Sequence, residues 1–185
     1  QSATIDQFLA DWPRSANRVF SWWQRQKRLM AWRLHDDVAA LTGHRPEPGV
    51  DGSVSALIVT SPSPLHPDTA HLETTVESIR AQIPDAEIVL VFDGVRPELA
   101  HRAADYAEYT RRALWLANTR WHNVVPLVLD DWHHQAGAVR IGLDEVRSPY
   151  VVLVEHDTPL TGAIDWPGIV TALDGNTLDV VRLHH

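Results

Sequence analysis

At 185 residues, 44% of them hydrophobic, the chain is long enough to bury a core and too apolar to be disordered. A net charge of -8 excludes a general nucleic-acid binder, and the absence of cysteine excludes disulfides, thiolate metal sites and a cysteine nucleophile. There is no signal-peptide pattern and no apolar run long enough to span a bilayer, so the expected location is the cytoplasm.

Residues 1–42 read as an N-terminal helical segment. Between Trp12 and His35 it carries Arg14, Arg18, Arg25, Lys27, Arg28 and Arg33, no acid, and the tryptophans Trp12, Trp22, Trp23 and Trp32. A basic, Trp-rich helix can lie at a membrane surface, which would make the protein peripheral to the membrane; the same aromatics can pack on the following domain or on a protein partner. Residues 43–53, within the Gly- and Pro-rich stretch Thr42–Ser53, read as a linker.

From Val54 to the end, strand-like and helix-like runs alternate. Val54–Thr60 is a partly β-branched apolar run. Leu72, Val76, Ile79 and Ile83 then recur at helical spacing. Ala86–Phe92 predicts a second strand ending at Asp93-Gly94, and Pro97 suits the first turn of an Ala-rich helix reaching toward Leu116. Val124–Leu129 predicts a third strand, which Pro126 places near a sheet edge. Ala136, Val139, Leu143 and Val146 mark a third helix, and Tyr150–Val154 a fourth, fully buried strand. A short helix over Pro167–Leu173 and a strand over Leu178–Leu183 close the series.

Apolar strands joined by helices predict an α/β fold, a mostly parallel Rossmann-like sheet with helices on both faces. Such sheets bind ligands outside the carboxyl ends of their strands. Three predicted ends carry polar residues: Thr60-Ser61, Asp93-Gly94 and Glu155-His156-Asp157. Asp93-Gly94 also has a plain reading as a turn, and the acidic triplet as a solvated cap. Carboxylates one residue apart at a strand end suit a hard divalent cation, whose shell substrate phosphates can complete.

Taken together, "VSALIVTSPSP", "LETTVESIRAQ", "EIVLVFDGV" and "QAGAVRIGLDEVRSPYVVLVEHDTPL" resemble, in order, the first strand and base loop, first helix, base-binding turn and Asp-x-Asp region of family-2, GT-A-fold glycosyltransferases. Phe92, Val95 and Glu155 stand where that family often has Asp, Ser and Asp. The resemblance implies a nucleotide-sugar-binding domain over residues 54–185. Thr60 and Ser61 would line the nucleobase pocket, and Asp93 beside Gly94 would accept a hydrogen bond from the base. Arg140 would lie near the donor, although beside Val139 on a helix it also reads as plain surface. Glu155 would touch the ribose or a metal-bound water. Asp157 would bind Mn²⁺ or Mg²⁺, with His184 or His185 able to complete the shell; those last two residues also read as the start of a purification tag.

The implied activity is metal-dependent transfer of a sugar from a UDP-sugar to an acceptor hydroxyl, with inversion; the acceptor could be a glycan, a lipid or a small molecule. The family's general base lies well after the Asp-x-Asp motif, in an acceptor-binding half that this stretch does not reach. Within the stretch the acids after the motif are Asp165, Asp174 and Asp179, none of them in the expected downstream place, with Asp165 the fallback candidate, and the expectation is a chain that binds donor but transfers sugar poorly by itself. Two other functions fit the same pattern. A sugar nucleotidyltransferase would need a Gly-rich phosphate loop after the first strand, and "SPSPLHP" has no glycine. A non-catalytic GT-A-like module for binding or assembly is the alternative from another class.

Overall fold

A computed structural model describes residues 50–183. The basic Trp-rich segment, the first part of the linker, and His184 and His185 lie outside the described residues. Val50–Ser53, the last part of the predicted linker, forms a single helical turn leading into the first strand.

Four strands make one parallel sheet: β1 (Val54–Thr60), β2 (Ile88–Phe92), β3 (Val124–Val128) and β4 (Tyr150–Glu155). The helices are α1 (Ala70–Gln82), α2 (Ala103–Thr119), α3 (His134–Leu143) and α4 (Trp166–Asp174). Pro97 opens a 3₁₀ segment, Pro97–Arg102, which runs directly into α2. The spatial order is β3-β2-β1-β4. The chain therefore lays its first three strands outward in one direction, then returns to the other side of β1. That reversal is the switch point at which open α/β sheets form a crevice.

β1 is central, and all seven of its residues are buried. Because alternate side chains point to opposite faces, it serves two cores. Ala56 and Ile58 join Ile88, Leu90 and Phe92 in a cluster with Leu72, Val76 and Ile79 of α1 and Tyr106 and Tyr109 of α2. Leu57 and Val59 join Val89, Val91 and Val125 on the other face, under Ala138 of α3. Helices thus cover both faces, as predicted for a Rossmann-like α/β fold. β3 is one edge, which accommodates Pro126 within its ladder.

Three expectations are corrected. β4 is the other sheet edge and is only partly buried: Leu153 is 51% exposed, and Val154 is its one fully buried residue. Leu178–Leu183 forms no strand, because its residues run beside β4 and α4 without a ladder, and Val180 is 81% exposed. The buried face of α3 is Ala138 and Gly142, while Ala136 and Leu143 are exposed. A Cβ on Gly142 would sit 2.5 Å from Leu57 Cδ1, so the missing side chain is what lets α3 close onto the sheet. Among the described residues, no helix is long and apolar enough to cross a membrane.

Candidate functional site

At the carboxyl ends of β1, β2 and β4 lies a cleft of about 460 Å³, a size common for small-molecule sites. β1 contributes Val59, followed by Ser61 and Pro62. Beyond β2 come Asp93, Gly94, Arg96 and Leu99; the loop after β3 and the start of α3 give Trp132, His134 and Gln135; β4 gives Glu155 and then His156.

Asp93 is the best-fixed of these residues. It is 3% exposed, and its Oδ1 accepts from the Gly94 N–H at 2.9 Å and from the His133 N–H at 2.8 Å. The Gly94 N–H also reaches the Asp131 carbonyl at 3.2 Å. A Cβ on Gly94 would lie 2.2 Å from the Asp131 carbonyl carbon, so only glycine permits this approach of the two loops. Glu155 accepts a hydrogen bond from Gln135, which ties β4 to α3 across the cleft. His134, the first residue of α3, has φ 62°, a left-handed conformation uncommon outside glycine and frequent at functional sites.

The remaining predicted residues are placed differently. Thr60 is buried, with its hydroxyl bonded to Tyr106 Oη at 3.0 Å, and it does not line the cleft. Tyr106 in turn donates to the Thr60 carbonyl at 3.0 Å, so Thr60 joins α2 to the end of β1. Arg140 is exposed two turns along α3 and also stays out of the lining. Asp157 is exposed in the turn after β4, closed by the Thr158 N–H to Glu155 carbonyl bond of 3.2 Å, and it flanks the lining residues. Asp165 caps α4, accepting from the Gly168 N–H at 3.1 Å. Asp174 accepts from the Tyr150 hydroxyl at 2.5 Å. Among the described residues, no three His, Asp or Glu side chains converge as a preformed metal cage.

Sequence reasoning missed Arg96, Leu99, Trp132, His134 and Gln135, and gave His156 its place at the strand end but no role of its own. The carboxyl-end rule, applied to β3 as it was to the other strands, would have drawn attention to Asp131–His134.

Beneath the cleft lies a stacked aromatic group. The His66 ring rests on Tyr109 at 3.9 Å and Tyr106 at 5.3 Å, with His156 tilted at 6.1 Å. His66 Nδ1 accepts from the Ser63 N–H at 3.2 Å, which leaves the proton of the neutral ring on Nε2, and that atom has no partner among the described residues. Burial, aided by the nearby His156, pushes His66 down to about 4. Burial likewise lowers His156, against the opposing pull of Asp157 and Glu155. For His66 the unfolded chain binds the proton first, so stability is complete above about pH 6.5 and falls as pH drops toward 4. The loss from this one group should be on the order of 3 kcal/mol. Urea melts at pH 7 and pH 4.5 measure it: His66→Phe, which keeps the stacked ring, should markedly flatten the difference, and an unchanged difference would assign the pH dependence elsewhere.

No curated protein matches the chain. The family model described as glycosyl transferase family 2 matches residues 66–183, from the loop before α1 to the end of the described chain. β1 and Ser61 precede the matched stretch, which nonetheless takes in Asp93, Gly94 and the whole β4 turn and covers well over half of the sequence. A parallel sheet with its cleft at the switch point and a match of that extent lead to one conclusion: the chain belongs to glycosyl transferase family 2.

Proposed function

We propose that the cleft binds a UDP-sugar together with Mn²⁺ or Mg²⁺, and that the protein transfers the sugar, with inversion, to the hydroxyl of a glycan, lipid or small-molecule acceptor. The observation that carries this reading is the convergence of Ser61, Asp93, Gly94 and Glu155 in one cleft at the switch point. Asp93 has one carboxylate oxygen engaged by backbone N–H groups; the other is the acceptor for a base N–H such as uracil N3–H. Ser61 lies beside it as a second polar contact. α3 begins at the cleft with no side-chain cap, so its first-turn N–H groups suit a diphosphate.

The chemistry of the donor set fits a hard cation. Glu155 and Asp157 supply carboxylate oxygens from one turn, and two protein ligands suffice where substrate phosphates complete the shell. Such a cation, when bound, offsets the negative charge that builds on the departing nucleoside diphosphate. The chain's own residues orient the donor: Glu155 is held by Gln135, and the Asp93 turn is held by the loop after β3. The glycine-free loop after β1 disfavours the nucleotidyltransferase alternative.

A thermal-shift series with UDP, GDP, dTDP and CDP, each with and without Mn²⁺, tests the reading. UDP with Mn²⁺ at a hundredfold excess over its Kd should raise Tm by roughly 5–10 °C. Absence of any cation-dependent shift across the four nucleotides would reject the donor-site assignment and favour a binding or assembly module.

A further inference from the structure

We infer that Trp132 is the platform on which the donor nucleobase stacks, and that the turn Asp93-Gly94 builds this platform as well as facing the base. The inference rests on the reading of the cleft as a nucleotide site.

Trp132 is 45% exposed and lines the cleft. It belongs to neither hydrophobic cluster, whereas Trp121 packs against the first cluster and Trp166 is buried in it. Large aromatics are on average highly buried, so a half-exposed tryptophan in a concave polar site calls for an explanation other than the core.

Its backbone is fixed on both sides. The preceding residue, Asp131, accepts from the Gly94 N–H at 3.2 Å, and the following residue, His133, donates to Asp93 Oδ1 at 2.8 Å. The space that holds the Asp131–Trp132 peptide is the space a Cβ on Gly94 would fill. The Trp132 ring itself is flanked by the His134 ring at 5.6 Å, carried by the residue with φ 62°. A rigid indole with its mooring already in place loses little freedom when a flat ligand arrives, which is the condition under which stacking adds affinity.

An aromatic face is indifferent to base identity, because every base has a π-face. Trp132 therefore supplies nucleobase affinity, while Asp93 supplies choice among bases. This division predicts a loss common to all nucleotides when Trp132 is removed, and none for a ligand that lacks a base.

The experiment is calorimetric titration of the full chain, with Mn²⁺ present, using UDP, GDP and inorganic pyrophosphate. Trp132→Ala should weaken UDP and GDP by roughly ten- to hundredfold and leave pyrophosphate within twofold of wild type. Trp132→Phe should retain most of the nucleotide affinity. Circular dichroism and Tm of each variant establish that it is folded; should Trp132→Ala fail to fold, a drop in nucleotide affinity for folded Trp132→Leu, absent in Trp132→Phe, carries the same test. Folded Trp132→Ala that binds UDP as wild type does, or that loses pyrophosphate in equal measure, overturns the platform alone. Wild-type protein that binds none of the three ligands overturns the donor-site reading and the platform with it.

Discussion

Asp157→Asn is expected to abolish cation-dependent nucleotide binding while leaving the unliganded fold intact. The change preserves size and removes the charge that a hard cation requires of its ligand. Asp157 is exposed in the turn after β4, so its replacement disturbs no packing. Exposed substitutions of this kind stay within about 0.5 kcal/mol, which holds Tm within roughly 2 °C of wild type. The effect on binding should be far larger. Loss of a partner one shell removed from a metal already lowers affinity by about 10–100-fold, and loss of a ligand should match or exceed that. Glu155→Gln is the instructive comparison. Glu155 accepts from Gln135, so its amide keeps an oxygen for that bond and should impair binding less. Titration of UDP into each variant, with Mn²⁺ and with EDTA, separates the cases. Cation-dependent affinity surviving in folded Asp157→Asn would remove this residue from the metal assignment.

The four strands are legible because they are contiguous apolar runs, which occur in covered parallel sheets. Their parallel sense follows from alternation with helices, whereas their spatial order, β3-β2-β1-β4, does not. Edges were less legible. Val151–Val154 reads as interior, yet among the described residues β4 has a neighbour only on its β1 side, and no local pattern reports how many neighbours a strand has. Leu178–Leu183 has strand composition, but composition makes a strand only where a ladder partner is in register. The third helix misled for a related reason. Its larger apolar residues have the spacing of an inner face, whereas the tightest contact is made by its smallest residues, Ala138 and Gly142. At the site, Ser61, Asp93, Gly94 and Glu155 could be picked out because each ends or follows a strand. Thr60, one residue before Ser61, points the other way, to Tyr106, and such alternation at a strand's last residue decides which neighbour meets the ligand. Trp132 and His134 depend on contacts between loops about 40 residues apart in sequence, which periodicity does not encode.

Gly94→Ala is expected to damage fold and site together, and more than its single methyl group suggests. The added Cβ would meet the Asp131 carbonyl carbon at 2.2 Å, its oxygen at 2.4 Å and the Trp132 nitrogen at 2.5 Å. All three are backbone atoms, so no rotamer change relieves the clash and the two loops must separate. Separation breaks the Gly94 N–H bond to Asp131 and strains the His133 N–H bond to Asp93. Overpacking with the loss of one such bond should cost about 2–4 kcal/mol. Gly162→Ala provides the contrast. Gly162 has φ 72° and nothing within 4 Å of a built Cβ, so its substitution carries only the backbone penalty of about 1–2 kcal/mol. Urea denaturation of both variants gives the comparison at constant m-value. The second readout is nucleotide affinity: Gly94→Ala should lose at least tenfold, since the displaced loop carries Trp132 out of the cleft, while Gly162→Ala should bind as wild type does. Equal stability of the two variants, with nucleotide binding intact in both, would mean that the Asp93-Gly94 turn and Asp131–Trp132 can separate at no cost to fold or site. Trp132 would then have no fixed seat from which to receive a base.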